Sequence, residues 1–173
     1  MNLIKDKVFL KLAGSLAIPM ILQDVLNSSV NMVDTFMIGR LGESEVAAVG
    51  LANQIFFIFQ LIIFGITSGS AIFIGQYWGK NDTDNIHKVM GISIGLSLIF
   101  AFLFSAVAFF IPEKIMQMYS KDYYVIELGC EYLEVIIISY FFSAVIVSIN
   151  SALRSTGKTT LPMCTTFISL FSN

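Results

Sequence analysis

The sequence has little charge and few of the residues that catalyse reactions or bind metals. Charged side chains make up 13% of its 173 residues and hydrophobic ones 56%, whereas about a quarter of the residues in a soluble domain are charged. This excludes an ordinary soluble domain and predicts an integral membrane protein. The chain has 10 Lys and Arg against 12 Asp and Glu, so it lacks the basic excess that binding to nucleic acid requires.

Cysteine and histidine are almost absent. Cys130 and Cys164 do not form a CxxC pair, and His87 has no second ligand candidate nearby. We therefore expect free thiols and no metal site. The sequence contains no Ser/His/Asp set, HExxH motif or phosphate-binding loop. We expect neither an enzyme nor a bound cofactor.

Long apolar segments predict an all-α, polytopic transmembrane helix bundle. About 20 apolar residues suffice to cross a bilayer, and no charged residue lies between Val46 and Gly79. Residues 113–128 are expected to be an amphipathic connector at the membrane surface. Most Lys and Arg residues fall on the side of the N-terminus, which the positive-inside rule places in the cytoplasm. The predicted spans are about 12–39, 46–79, 89–111, 130–153 and an incomplete 159–173.

A polar stripe follows one face of the first span. Gln23, Asn27, Asn31 and Asp34 are spaced by four, four and three residues, which places them on the same side of a helix. An ionisable group in hydrocarbon costs about 3 kcal/mol or more. The stripe must therefore face a water-filled cavity or polar partners, which is typical of a transport pathway. Asp34 is the best candidate for sensing an ion gradient, although it could instead pin the outer end of the helix.

Two further polar residues are candidates for lining this cavity. Asp24 lies near the middle of the first span, about 80° around the helix from Asp34. It either lines the same cavity or forms a hydrogen bond with a neighbouring helix. Gln54 is an amide at depth in the second span.

Three segments together resemble the multidrug and toxic compound extrusion (MATE) family: IPMILQDVLNSSVNMVDTFMIGRLGESEVAAVGLANQIFFI, SGSAIFIGQYWGKND and INSALRSTGKTTLPM. The resemblance implies a transporter of 12 helices in two six-helix lobes, of which this chain would supply the first four helices and part of the fifth. It further implies the export of cationic and amphipathic small molecules across the plasma membrane in exchange for H⁺ or Na⁺. The partners would be these substrates, membrane lipid and the missing C-terminal lobe.

The resemblance also assigns roles to individual residues. Asp34 matches the acidic residue of the VDT motif in the N-lobe cation site, and Asn150 matches an asparagine before the LRxxG turn that lines the cavity. Asn173 is aligned with a further asparagine of the cation site. Pro19 matches the proline at which the first helix bends in some members. Asp24 has no counterpart in the family.

Two alternatives remain. A flippase of the same superfamily would handle lipid-linked precursors, but such proteins usually line their cavity with several arginines, and no Arg lies within a predicted span. A non-transporting, truncated membrane subunit is the other alternative. A complete short protein would be expected to finish its fifth helix.

Overall fold

The computed structural model describes the backbone of residues 7–172 and the side chains of residues 10, 11 and 13–168. All regular structure in this part of the chain is helical, and three of its helices (α2, α3 and α5) are long and apolar enough to cross a membrane. The predicted all-α transmembrane bundle is confirmed. The helices are α1 (Lys7–Gly39), α2 (Glu43–Gly79), α3 (Thr83–Phe110), α4 (Pro112–Gln117), α5 (Tyr123–Ser155) and α6 (Thr160–Ser172).

The expected surface connector is largely helical. Pro112 begins α4, as a proline can because the first turn of a helix leaves its N–H groups unused. Ile115 and Met116 are buried, and Met116 lies directly against Gly129 of α5. A Cβ atom at position 129 would overlap with the end of the Met116 side chain, which would have to shift. Residues 123–128 form the first turns of α5 rather than a linker.

Helices α2, α3 and α5 pack against one another and form the three-helix bundle. Small side chains at intervals of four residues let the backbones of α3 and α5 approach closely. Ser148 Oγ lies 3.2 Å from Ser97 Oγ across this contact, and Ser105 Oγ donates to the Ile137 carbonyl at 3.2 Å. The buried small residues are Ser93, Ser97, Ala101, Ser105 and Ala108 of α3 and Ala144, Ser148 and Ala152 of α5.

An aromatic cluster fills the middle of the bundle. Tyr140 of α5 is fully buried, and its ring lies edge-on to Phe59 and Phe56, with centroids 4.9 and 5.4 Å apart. Edge-to-face pairs of this kind stabilise a core beyond the effect of burial alone. The Tyr140 hydroxyl is buried without a hydrogen-bond partner among the described residues.

The turn between α2 and α3 is fixed by Asp82, which caps α3. Its carboxylate accepts hydrogen bonds from the Asn85 side chain at 2.7 Å and the Asn85 backbone N–H at 3.2 Å. These bonds lower the pKa of Asp82 below its ordinary value of 3.8, since they favour the charged form. The cap is therefore ionised at neutral pH.

Helices α1 and α6 pack against each other and form the α1–α6 pair beside the bundle. Gly157 lies near Leu16, and further along both helices Gln23 contacts Pro162 and Thr166. The order of these contacts shows that α1 and α6 run in the same direction. The fold thus consists of a tight three-helix bundle and a parallel pair.

We expect Ala144→Leu to destabilise the chain by about 1–3 kcal/mol, because the extra carbons would overpack a fully buried site. Thermal unfolding in detergent, followed by circular dichroism, measures this. Val135→Leu adds a methylene at a position of α5 that is 77% exposed, and it should change the midpoint little. Equal midpoints for the two variants would contradict the close packing of α3 and α5.

Candidate functional site

Gln23 lies where α1, α5 and α6 meet. The side chain is 3% exposed, and its Nε2 donates to the Pro162 carbonyl at 3.2 Å and to Thr166 Oγ1 at 3.0 Å. Its Oε1 accepts a hydrogen bond from Arg154 Nη2 at 2.6 Å. Both ends of the amide are used, as a buried polar group in a membrane protein requires.

Arg154 joins the three-helix bundle to the α1–α6 pair. It lies in the last turn of α5, where a cation is favoured by the negative end of the helix dipole. Besides donating to Gln23, its Nη2 lies 3.8 Å from Asp24 Oδ1. The Arg154 Nε is buried and has no partner in the part of the chain that the structure describes.

Asp24 combines features of the two roles left open for it. Its side chain is 70% exposed, and it also forms the ion pair with Arg154 of a neighbouring helix. The carboxylate lies in a shallow groove of about 410 Å³ along one face of α1. This groove is lined by Ile21, Asp24, Val25, Ser28, Ser29 and Met32.

The rest of the polar stripe is not joined to this cluster by any described contact. Asp34 is half-buried, whereas Asn27 and Asn31 are exposed. A rise of 1.5 Å per residue puts Asp34 about 16 Å along α1 from Gln23. No described hydrogen bond or ion pair joins the side chain of Asn27, Asn31 or Asp34 to α5 or α6. Among the described contacts, only Gln23 of the stripe is hydrogen-bonded to neighbouring helices.

The remaining predicted positions are spread over several helices. Gln54 is exposed on α2, and Asn150 is half-buried on α5, one turn before Arg154. Helix α1 continues through Pro19, although a proline cannot donate the helical hydrogen bond at that point. Asn173 lies outside the described residues.

Arg154 is the residue that the sequence interpretation missed. The fourth span was expected to end at residue 153, which assigned the arginine to a loop. In the structure α5 continues to Ser155, and the side chain reaches Gln23 on α1. The available signal was the spacing of Asn150 and Arg154, which places both on one face of a slightly longer helix.

Replacing Gln23 should loosen α6. In Gln23→Leu the guanidinium of Arg154 loses its hydrogen-bond acceptor and Thr166 Oγ1 loses the hydrogen bond that it accepts. Removing one partner of a buried hydrogen bond costs about 1–3 kcal/mol. We expect faster amide hydrogen exchange in α6, measured by mass spectrometry on the purified chain. Asn27→Leu, at an exposed position one turn further along, is the matched control. Unchanged protection of α6 in Gln23→Leu would show that the amide does not hold this helix.

Comparison with known proteins places this arrangement in a family. The MatE family model matches residues 19–173. A probable multidrug resistance protein, YoeA of Bacillus subtilis, is 26% identical over 90% of this chain and 34% of its own length. The probable multidrug resistance protein NorM of Thermotoga maritima is 31% identical over 63% of the chain and 24% of its own length.

A solved structure has the same fold. It is that of a MOP superfamily transporter from Pyrococcus furiosus, with a TM-score of 0.84 and 23% identity; the match covers 93% of this chain and 36% of that one. The present chain thus spans about a third of the length of such proteins. Its helices correspond to about a third of that fold. With its match to the family model over residues 19–173, the chain belongs to the MatE family of membrane transporters.

Proposed function

We propose that the chain is part of the N-terminal lobe of a secondary transporter that exports amphipathic organic compounds in exchange for H⁺ or Na⁺. The observation that carries the proposal is the polar stripe of α1, with Asp34 half-buried rather than sealed in the protein. Moving one charge through the membrane field yields about 2.3 kcal/mol per 100 mV. A carboxylate that alternately binds and releases a cation is a way to use that energy.

Asp34 is the coupling residue in this proposal, with Asn150 and Asn173 as further cation-binding residues. Asn27 and Asn31 are exposed on the same helix, where their amides are free to contact a passing substrate. Pro19 lies below them and interrupts the hydrogen bonding of α1. A local bend there would change which side of the membrane the stripe faces.

The proposed location is the plasma membrane, with the N-terminus in the cytoplasm. The turns after α2 and α5 carry Lys80 and Lys158, and the second of them lies near Leu16 at the N-terminal end of α1. Basic residues thus collect at one end of the helices, which favours the cytoplasmic side.

A flippase of the same superfamily is less well supported. Arg154 is the one arginine within the described helices, and its Nη2 already bonds Gln23 and lies near Asp24. The described helices therefore offer no set of unbonded guanidinium groups that could bind a lipid-linked phosphate. The curated relatives that carry multidrug resistance names favour the exporter.

Asp34→Asn in the complete transporter should abolish drug export without reducing expression, because the amide cannot carry the charge that couples transport to the gradient. Export of a fluorescent dye from energised vesicles measures this. Asp84→Asn, at an exposed residue in the first turn of α3, removes the same charge and should transport normally. Imposing pH and Na⁺ gradients separately identifies the coupling ion. Unchanged export by Asp34→Asn would remove this residue from the coupling role.

We also expect that residues 1–173 alone do not transport. The relatives are about three times as long, and the described helices cannot enclose a cavity that opens to either side in turn. Expression of the chain in a drug-sensitive strain should leave the minimum inhibitory concentrations of the tested drugs for that strain unchanged. Resistance conferred by the chain alone would contradict this prediction and would point to assembly from several copies.

A further inference from the structure

Asp24 is a charged residue that the coupling proposal leaves without a role. It lies in the middle of α1, with its carboxylate 70% exposed, on a helix that belongs to a membrane protein. A carboxylate kept in such a place at a cost of about 3 kcal/mol or more indicates a function.

The groove around Asp24 offers only hydrogen-bond acceptors at its centre. Ser28 Oγ donates its proton to the Asp24 carbonyl and Ser29 Oγ to the Val25 carbonyl, both at 2.8 Å. Each hydroxyl oxygen therefore has only lone pairs left to present to a ligand. The neighbouring side chains Ile21, Val25 and Met32 are apolar and 59%, 56% and 77% exposed. An apolar surface with an acceptor-only, negative centre is complementary to an organic cation that carries N–H groups.

Arg154 occupies the edge of this site as an internal cation. Its Nη2 is 3.8 Å from Asp24 Oδ1, which is too long for a hydrogen bond, while its bond to Gln23 Oε1 is 2.6 Å long. The arginine is thus hydrogen-bonded to Gln23 and interacts with the carboxylate as an ion pair without a hydrogen bond. A second cation can approach Asp24 from the exposed side without displacing the arginine from Gln23.

We propose that Asp24 binds an amphipathic organic cation in the α1 groove, and that the guanidinium of Arg154 competes with that cation for the carboxylate. The empty site is neutralised by Arg154, which makes the carboxylate tolerable in the membrane. The bound cation takes over that neutralisation. This assignment rests on the proposed export function for its substrate, but the binding step itself needs no ion gradient.

Ethidium binding to the purified chain in phosphatidylcholine nanodiscs tests the proposal, with fluorescence anisotropy as the readout. Asp24→Asn should weaken ethidium binding roughly tenfold, because it removes the negative charge that attracts the dye. Arg154→Gln should tighten binding roughly fivefold, because it removes the positive charge that competes with the dye. Asp24→Glu and Arg154→Lys keep the charges and should bind much like the wild type. Asp84→Asn, which removes a carboxylate outside the groove, is the charge control.

The expected changes in ethidium affinity have opposite signs in the two variants, which distinguishes a binding role of the ion pair from a purely structural one. If Arg154→Gln and Asp24→Asn reduce the affinity for ethidium equally, the ion pair is only a structural link between α1 and α5, and the proposal is wrong. It is also wrong if Asp24→Asn binds as the wild type does. The neutral probe N-phenyl-1-naphthylamine should bind all variants alike, whereas a misfolded variant loses both probes.

The result is independent of the coupling proposal. Asp24 and Asp34 are ten residues, or about 15 Å, apart along α1, so the two proposals are tested at separate carboxylates. A complete transporter could bind ethidium through Asp24 and yet show no export. This result would refute the proposed function but would support the proposed binding site. Normal export, together with an ethidium affinity that does not depend on Asp24, would support the proposed function and refute the binding site.

Discussion

The hydrogen bonds of Gln23 hold together two parts of the molecule that otherwise touch little. In a membrane, a buried amide cannot form hydrogen bonds with water, so its donors and its acceptor must form them with protein groups. Gln23 finds them on α5 and α6 at once. The position of α1, and with it the direction in which the polar stripe faces, depends on this junction.

The two parts are built on different principles. The three-helix bundle relies on small residues at helical spacing and on the aromatic cluster around Tyr140, so it behaves as a rigid block. The α1–α6 pair is joined to it through long polar side chains, which are easier to rearrange than a close-packed core. The helix with the polar stripe is therefore attached to the three-helix bundle differently from the way in which the bundle helices are attached to one another.

Much of the helical architecture was predictable, because apolar length and the scarcity of charge are strong signals in a membrane protein. Helix ends were harder to predict. Residues 123–128 contain tyrosines and Glu127 and resemble an interfacial segment, yet they begin α5. The same error at the other end placed Arg154 outside its helix. Hydropathy cannot show that a long arginine side chain reaches inward to an amide on another helix.

The candidate site was predictable only in part. The spacing of Gln23, Asn27, Asn31 and Asp34 puts them on one side of the helix α1, but periodicity is the same along the whole helix and cannot tell which of them a neighbouring helix contacts. Gln23 is the member of the stripe that is bonded to α6 and to Arg154. The pairing of Asp24 with Arg154 is a contact between distant parts of the chain, and no local pattern encodes it.

The parallel course of α1 and α6 has a consequence for biosynthesis. Gln23 and Thr166 are 143 positions apart, and at 5–20 residues per second a ribosome needs about 7–30 seconds to make the intervening chain. During that interval α1 has entered the bilayer while the partners of its amide do not yet exist. The hydrogen bonds of the Gln23 amide are completed only when α5 and α6 have been made.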